Sequence, residues 1–408
     1  MTLRDRLFAS FEAYAALPAV WVNDETYTYA DLHAKAAHFA LALDAKISAT
    51  DVVGIYAQHD LDSIVGIIGT ILSGRRYLPL NPNFPIARHT AICAQEPPAA
   101  IICSPRHEKR ARILMEELSS DQILLNGDGD VLANGGQSGT FARPQSRDPS
   151  TVYSMFTSGT TGTPKGVRIL ESNLLAYLDG IAPIANIGPH DRATHFFELS
   201  FDLSVHDIFV TLTSGAQLTM LPGKMKLAIA DFVAERDITH WFSVPSLASF
   251  CQRIGQLTPD TFAPLRTALF CGEALPVALA EAFSRSASAA KIWNLYGPTE
   301  ATIAVTVKEF TGVADMDGEV VVPLGGPIGT QVCTIEGDGN EGQLQLGGSQ
   351  VTRATSTTRP RPTRHSLLRP TATRRIARAI WSCAARRMAI SSADGSTIRS
   401  RSTDFGSN

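Results

Sequence analysis

The segment Tyr153-Ser154-Met155-Phe156-Thr157-Ser158-Gly159-Thr160-Thr161-Gly162-Thr163-Pro164-Lys165-Gly166-Val167 constrains this chain more than any other. Hydroxyl side chains, glycines and one lysine follow an apolar strand. Glycines let the backbone come close to oxyanions and adopt positive φ. Backbone N–H groups, hydroxyls and an ammonium then supply donors and positive charge for a polyphosphate. A Walker A loop ends in Gly-Lys-Ser/Thr and feeds a helix. Here Pro164 precedes the lysine, Gly166 follows it, and Val167-Arg168-Ile169 reads as a strand. The spacing therefore predicts a hairpin whose loop folds over phosphates as a flap. The plain alternative is a Ser/Thr/Gly-rich surface loop that binds nothing.

The order of residues in this loop resembles the signature of the adenylate-forming enzymes, which include acyl-CoA synthetases, luciferases and the adenylation domains of nonribosomal peptide synthetases. Other segments follow that family's order. Tyr27-Thr28-Tyr29-Ala30-Asp31-Leu32 resembles its strand-to-helix entry, and the stretch from Leu72 to Pro85 resembles a scaffold motif rich in turn-forming residues. Phe201-Asp202-Leu203-Ser204 resembles the start of the substrate pocket in amino-acid-activating members. Asp202 reads either as a helix N-cap or, as the resemblance implies, as the carboxylate that holds a substrate α-ammonium. Gly272-Glu273-Ala274-Leu275 follows the apolar strand Ala268-Leu269-Phe270-Cys271, at the end where ligands sit; the resemblance implies contact with adenine. Asn294-Leu295-Tyr296-Gly297-Pro298-Thr299-Glu300 is similar to a further nucleotide motif. Tyr296 offers a flat face for a purine and Gly297-Pro298 a sharp turn. By the resemblance Thr299 can donate to the α-phosphate, and Glu300 can ligate Mg²⁺, a hard cation that prefers carboxylate oxygen.

By this resemblance ATP is held by Thr157, Ser158, Gly159, Thr160, Thr161, Gly162 and Lys165 on one side. On the other it is held by Gly272, Glu273, Ala274, Asn294, Tyr296, Gly297, Thr299 and Glu300. Thr157, Lys165 and Glu300 would act in catalysis, with Glu300 and Thr157 at the metal. Spacing from these anchors places the specificity positions at Asp202, Leu203, His206, Phe242, Leu269, Cys271, Leu295, Ile303 and Ala304. Apart from Asp202 and His206 this set is apolar, which suits a small or medium amino acid with an apolar or weakly polar side chain. The same residues also read as ordinary core at strand ends, and His206 as a surface histidine.

Short apolar strands alternate with helical stretches, a βαβ rhythm that predicts an α/β fold with helix-covered, mainly parallel sheets. Strands are expected at Val52-Val53-Gly54-Ile55-Tyr56, Ala99-Ala100-Ile101-Ile102-Cys103, Thr239-His240-Trp241-Phe242 and Lys291-Ile292-Trp293-Asn294-Leu295. Helices are expected over about 60–74, 245–254 and 276–286. The alternation in Gln343-Leu344-Gln345-Leu346 predicts one strand of a partial β-rich subdomain. With 408 residues, 44% hydrophobic, the chain is long enough for more than one domain. No apolar run reaches the length of a membrane span, and the six cysteines are scattered without metal-ligand spacing. A cytoplasmic location is expected, with no nucleic-acid or membrane partner.

Residues 1–353 are expected to form the large AMP-binding domain of such enzymes, incomplete at its end. Residues 354–408 break the pattern: they hold 11 Arg, no Lys, no Glu and two Asp. Their charge of +9 against −12 for residues 1–353 gives the net −3. A basic arm, a disordered extension and a reading-frame change each account for such a tail. The frame change is favoured because the break falls inside a motif rather than at a boundary. Relatives carry a ribose-binding aspartate and a C-terminal lid domain with a catalytic lysine; the expectation here is that both are missing, since no lysine follows Lys308.

The function implied is ATP-dependent activation of an amino acid carboxylate as its adenylate, with transfer to the phosphopantetheine thiol of a carrier protein, impaired by the missing lid. The alternatives are an acyl- or aryl-CoA ligase and a non-catalytic remnant that binds nucleotide or carrier protein.

Overall fold

The computed structural model describes residues 1–48, 51–118, 122–134, 150–157, 164–221, 227–336, 343–352, 389–392 and 397–399. The helices are α1 (Leu3–Ala13), α2 (Tyr29–Lys46), α3 (Leu61–Leu72), α4 (Ile86–Gln95), α5 (Glu108–Leu118), α6 (Glu171–Ala185), α7 (Leu203–Leu212), α8 (Ile229–Glu235), α9 (Pro245–Arg253) and α10 (Val277–Ser286). Strands β1 to β5 are Pro18–Val22, Glu25–Thr28, Val52–Tyr56, Arg76–Pro79 and Ala100–Cys103. Strands β6 to β10 are Ile123–Leu125, Val131–Asn134, Thr151–Thr157, Lys165–Leu170 and Arg192–His195. Strands β11 to β15 are Gln217–Met220, His240–Ser243, Thr267–Phe270, Lys291–Tyr296 and Thr306–Phe310. Strands β16 to β20 are Gly326–Pro327, Val332–Glu336, Gln343–Gly347, Ala389–Ser392 and Thr397–Arg399. The chain divides into two units, one built on residues 1–175 and 186–240, the other on 176–185 and 241–353 with most of the tail.

The first unit contains a seven-stranded sheet in the order β7-β6-β5-β3-β4-β8-β9. Its β6, β5, β3, β4 and β8 run parallel, and β7 and β9 pair antiparallel at the two edges. Every residue of β3, β4 and β5 is buried, as expected for strands covered by helices on both faces. Helix starts follow local chemistry. Thr28 and Asp31 form a reciprocal capping box at α2, and Asp60 and Ser63 another at α3. One core cluster packs Tyr56, Leu78, Ile92, Cys103, Leu114 and Phe156 together. In the same unit β10, β11, β1 and β2 follow one another, with β10, β11 and β1 parallel and β2 antiparallel.

In the second unit β13 and β14 are parallel, and β15 and β16 add antiparallel. Trp241, Phe262, Phe270 and Phe283 form an aromatic core, with centroids 5.1–5.5 Å apart in the pairs that meet. Strands β17 and β18 pair antiparallel, as the alternation over residues 343–346 predicts. Most of the arginine-rich tail lies outside the described residues; of it, β19 pairs parallel with β18 and β20 antiparallel with β19. No described helix is long and apolar enough to cross a membrane.

Candidate functional site

In the first unit the expected hairpin is present. β8 and β9 pair antiparallel with Thr157 opposite Lys165, so the loop leaves and re-enters the sheet at these two residues. The Thr157 hydroxyl lies 3.5 Å from the Lys165 carbonyl. Two contacts fix the second strand. Gln95 Nε2 donates to the Pro164 carbonyl at 2.9 Å. Buried Glu96 accepts from Arg168 Nη2 at 2.9 Å and pairs with Arg76 Nη2 at 2.7 Å. Lys165 itself is half-buried at the sheet's end. Ser158, Gly159, Thr160, Thr161 and Gly162 lie outside the described residues.

Asp202 sits at the start of α7 in right-handed helical conformation, φ −65° and ψ −17°, and its side chain makes no capping hydrogen bond. The N-cap reading is thereby set aside, because a capping side chain needs an extended backbone to fold back onto the first turn. The Tyr77 hydroxyl lies within the field of Asp202; burial first, and then this carboxylate, push the phenol upward. Tyr77 is fully buried and its ring lies 5.5 Å from that of Tyr153. Leu203 and His206 are buried on the same helix, which rules out the surface reading of His206. Burial first, and then His240, lower the His206 imidazole to about 3.

In the second unit Phe242, Leu269, Cys271, Leu295, Ile303 and Ala304 are all buried. Leu269 and Leu295 belong to the adjacent parallel strands β13 and β14. Gly272, just beyond β13, has φ +88°, a conformation that favours glycine. Glu273 turns its carboxylate to the Ser246 amide at 2.9 Å and hydroxyl at 3.0 Å, at the amino end of α9. Asn294 donates to the carbonyls of Val322 at 2.9 Å and Pro323 at 3.0 Å. Both side chains are thus engaged in the scaffold.

The bend after β14 is tightly held. A Cβ on Gly297 would stand 2.7 Å from the Ala304 Cα and 2.8 Å from the Ile303 carbonyl, so only glycine fits. Thr302 and Ile303 carry φ of +58° and +71°, strained for β-branched residues. Gln350 secures them: its Nε2 donates to the Ala304 carbonyl at 2.7 Å, and Thr302 Oγ1 donates to the Gln350 carbonyl at 2.6 Å. The Thr352 amide donates to the Glu300 carbonyl at 2.8 Å. Ala301 and Val305 then pack with Cys333, Leu344 and Leu346, with Tyr296 alongside. Burial raises the Tyr296 phenol. Glu300 occupies a short 3-10 turn, half-buried.

The family model described as "AMP-binding enzyme" matches residues 7–354. The chain belongs to that family. D-alanine–D-alanyl carrier protein ligase of Lactiplantibacillus plantarum is 30% identical over 355 residues, 81% of this chain and 66% of that protein. Tyrocidine synthase 3 of Brevibacillus parabrevis is 28% identical over 82% of this chain, which spans 5% of that synthase. Among solved structures, the Vibrio cholerae adenylation domain AlmE, in complex with glycyl-adenosine-5'-phosphate, superimposes with a TM-score of 0.77. It is 27% identical over 87% of this chain and 72% of its own.

The AMP-binding fold explains why motifs far apart in sequence end at the carboxyl ends of parallel strands, where α/β proteins place ligands. Three contributors escaped the sequence reading. Gln350 braces the Glu300 bend, the Tyr77 phenol is acted on by the Asp202 charge, and the buried pair His195 Nδ1–Asp207 Oδ2, 3.0 Å apart, links β10 to α7. The sequence carries a signal for the last: Asp207 lies among Val205, Ile208, Phe209 and Val210, and a carboxylate in such an apolar run needs a partner; the structure buries all ten residues of α7.

Proposed function

We propose that this chain activates an amino acid carboxylate as its adenylate with ATP, for transfer to a carrier-protein phosphopantetheine thiol. The observation that supports this most is Asp202: a carboxylate at the start of α7 whose side chain does no capping and whose charge acts on the buried Tyr77 phenol. An amino acid brings the α-ammonium that such a carboxylate binds. A fatty or aryl acid does not. The carrier-protein ligase among the relatives fits the same reading.

In this reading the substrate carboxylate attacks the α-phosphorus, forming the acyl-phosphate bond and expelling pyrophosphate. Lys165 and the Thr157 hydroxyl, opposed at the hairpin's end, grip the outer phosphates. Tyr296 offers its ring to adenine and Thr299 a donor to the α-phosphate. Among the described residues no cluster of three or more His, Cys, Asp or Glu could hold a metal. Glu300 is suited by its own chemistry to Mg²⁺, a hard cation that takes one or two carboxylates and completes its shell with phosphate oxygens and water. The ion would neutralise charge developing at the phosphates. Residues 309–408 contain no lysine, so adenylation by these residues alone is slow in this reading, and a lid domain supplied in trans accelerates it.

The test is amino-acid-dependent exchange of labelled pyrophosphate into ATP, scanned over amino acids with and without a lid domain from a relative. Exchange confined to one or a few amino acids supports the reading. Nucleotide binding without exchange under either condition overturns it in favour of a binding remnant. Exchange with an amine-free acid, unaffected by Asp202→Ala, points instead to an acyl- or aryl-CoA ligase.

A further inference from the structure

Lys165 opens β9, the last strand of the seven-stranded sheet, which is paired on one side only, by β8. An edge strand keeps unpaired backbone groups along its other side. Two consecutive residues at the carboxyl end of α4 hold this strand from outside the sheet. Gln95, the last residue of the helix, lays its Nε2 between two carbonyls: Pro164 at 2.9 Å, and Ala91 on its own helix at 3.3 Å. The Pro164 carbonyl belongs to the peptide unit whose nitrogen is that of Lys165, and such a unit is planar. Holding its oxygen therefore fixes the plane from which the Lys165 residue departs.

Three residues further along β9, Arg168 Nε and Nη2 donate to Glu96 Oε2 at 3.0 and 2.9 Å. Glu96 is 1% exposed, and its other oxygen pairs with Arg76 Nη2 of β4 at 2.7 Å. Charge-assisted bonds of this kind are short and directional. The support behind them is firm. Ile92 and Cys93 of α4 lie in the core cluster that also takes in Phe156 of β8. Pro97-Pro98 follow Glu96 and stiffen the chain as it leaves the helix. The backbone of Lys165 is thus held on both flanks by one anchored helix end. A lysine has a long, flexible stem, so a fixed backbone lowers the freedom it loses on gripping a ligand.

We propose that Gln95 is a positioning residue for nucleotide binding: it fixes the Pro164–Lys165 peptide so that the ammonium meets the outer phosphates, with the Glu96–Arg168 pair as the anchor further along β9. This rests on the reading of Lys165 as a phosphate grip. Gln95 itself touches no phosphate and acts only through the lysine.

Calorimetric titration of the full 408-residue chain with ATP and with AMP, in magnesium buffer, tests this. AMP lacks the outer phosphates, so the difference between the two affinities reports the grip. Gln95→Met keeps the length of a half-buried side chain and removes its donor. It is expected to raise the Kd for ATP about 3- to 10-fold, the range of one hydrogen bond, and to leave the Kd for AMP unchanged. In a Lys165→Ala background the same substitution is expected to change neither. Arg168→Met, at a side chain 29% exposed, is expected to repeat the pattern and serves where Gln95→Met does not fold. Equal weakening of ATP and AMP puts Gln95 in the general scaffold and overturns the proposal, as does an effect that persists in full without Lys165. If Lys165→Ala weakens ATP while Gln95→Met and Arg168→Met do not, the positioning role fails and the lysine's role stands. If Lys165→Ala itself leaves ATP binding unchanged, the reading of the hairpin fails and takes this proposal with it.

Discussion

Gln350 donates its side-chain Nε2 hydrogen to the carbonyl of Ala304 at 2.7 Å. The same nitrogen lies 3.3 and 3.4 Å from the carbonyls of Thr302 and Ala301. One buried amide therefore closes the turn that carries Glu300 and Tyr296. Gln350→Leu leaves these carbonyls buried without a donor, at about 1–3 kcal/mol for each group left unsatisfied. The short bond dominates, so a loss of about 3 kcal/mol in urea unfolding is expected. ATP binding measured by calorimetry should weaken with it. A variant within about 0.5 kcal/mol of the parent would show that the bend holds without this clamp.

Lys165 stands at the opposite kind of site, half-buried at the mouth of a hairpin whose register is set by the rest of β8 and β9. Lys165→Ala removes a charged donor without disturbing a core, so the melting temperature should stay within about a degree. A charge-assisted bond contributes about 1.5–3 kcal/mol, which corresponds to a rise of roughly 10- to 150-fold in the KM for ATP. Unchanged ATP dependence would separate the hairpin from nucleotide binding.

The sequence disclosed those features whose cause is local. The Thr157–Lys165 hairpin follows from apolar strands flanking a glycine-rich loop, and the α2 entry follows from Thr28 and Asp31 at capping spacing. The βαβ rhythm gave the helix-covered parallel sheet because β3 and β5 are apolar runs, whereas β4 opens with the charged Arg76 inside the turn-rich stretch from Leu72 to Pro85 and carries no such signal. What stayed hidden is set at long range. Glu273 read as part of an adenine turn, yet its carboxylate is engaged by Ser246 from another helix. Whether Asp202 caps α7 depends on its backbone angles, which residue identity does not determine. Gln350 lies in a Gly-Ser-Gln-Val-Thr stretch whose only visible trait was a broken motif, while its partners are 46–49 residues away.

Asp202→Asn keeps the shape of the side chain and removes its charge. Because Asp202 makes no capping bond, the start of α7 should survive. Exchange driven by an amino acid is expected to fall about 10- to 100-fold, the effect of losing a charge-assisted hydrogen bond. Binding of ATP alone should be unaffected. If ATP binding falls in parallel, Asp202 supports the nucleotide site rather than the ammonium.

His206 gives the fold a specific sensitivity to acid. Burial holds its imidazole at about 3, far below the ordinary 6.5. The folded chain therefore keeps this ring neutral while the unfolded chain protonates it. Between these two values the unfolded state binds more protons, so stability rises with pH and is lost as pH falls below about 6.5. The slope from this one group approaches about 1.4 kcal/mol per pH unit. His206→Leu removes that component and keeps the site apolar. Comparing urea unfolding at pH 6.5 and 5.0, the parent should lose about 1.5 kcal/mol more than the variant over this interval. Equal losses would mean that the ring is solvated enough to protonate in the folded chain. The interior around α7 would then be wetter than its packing indicates.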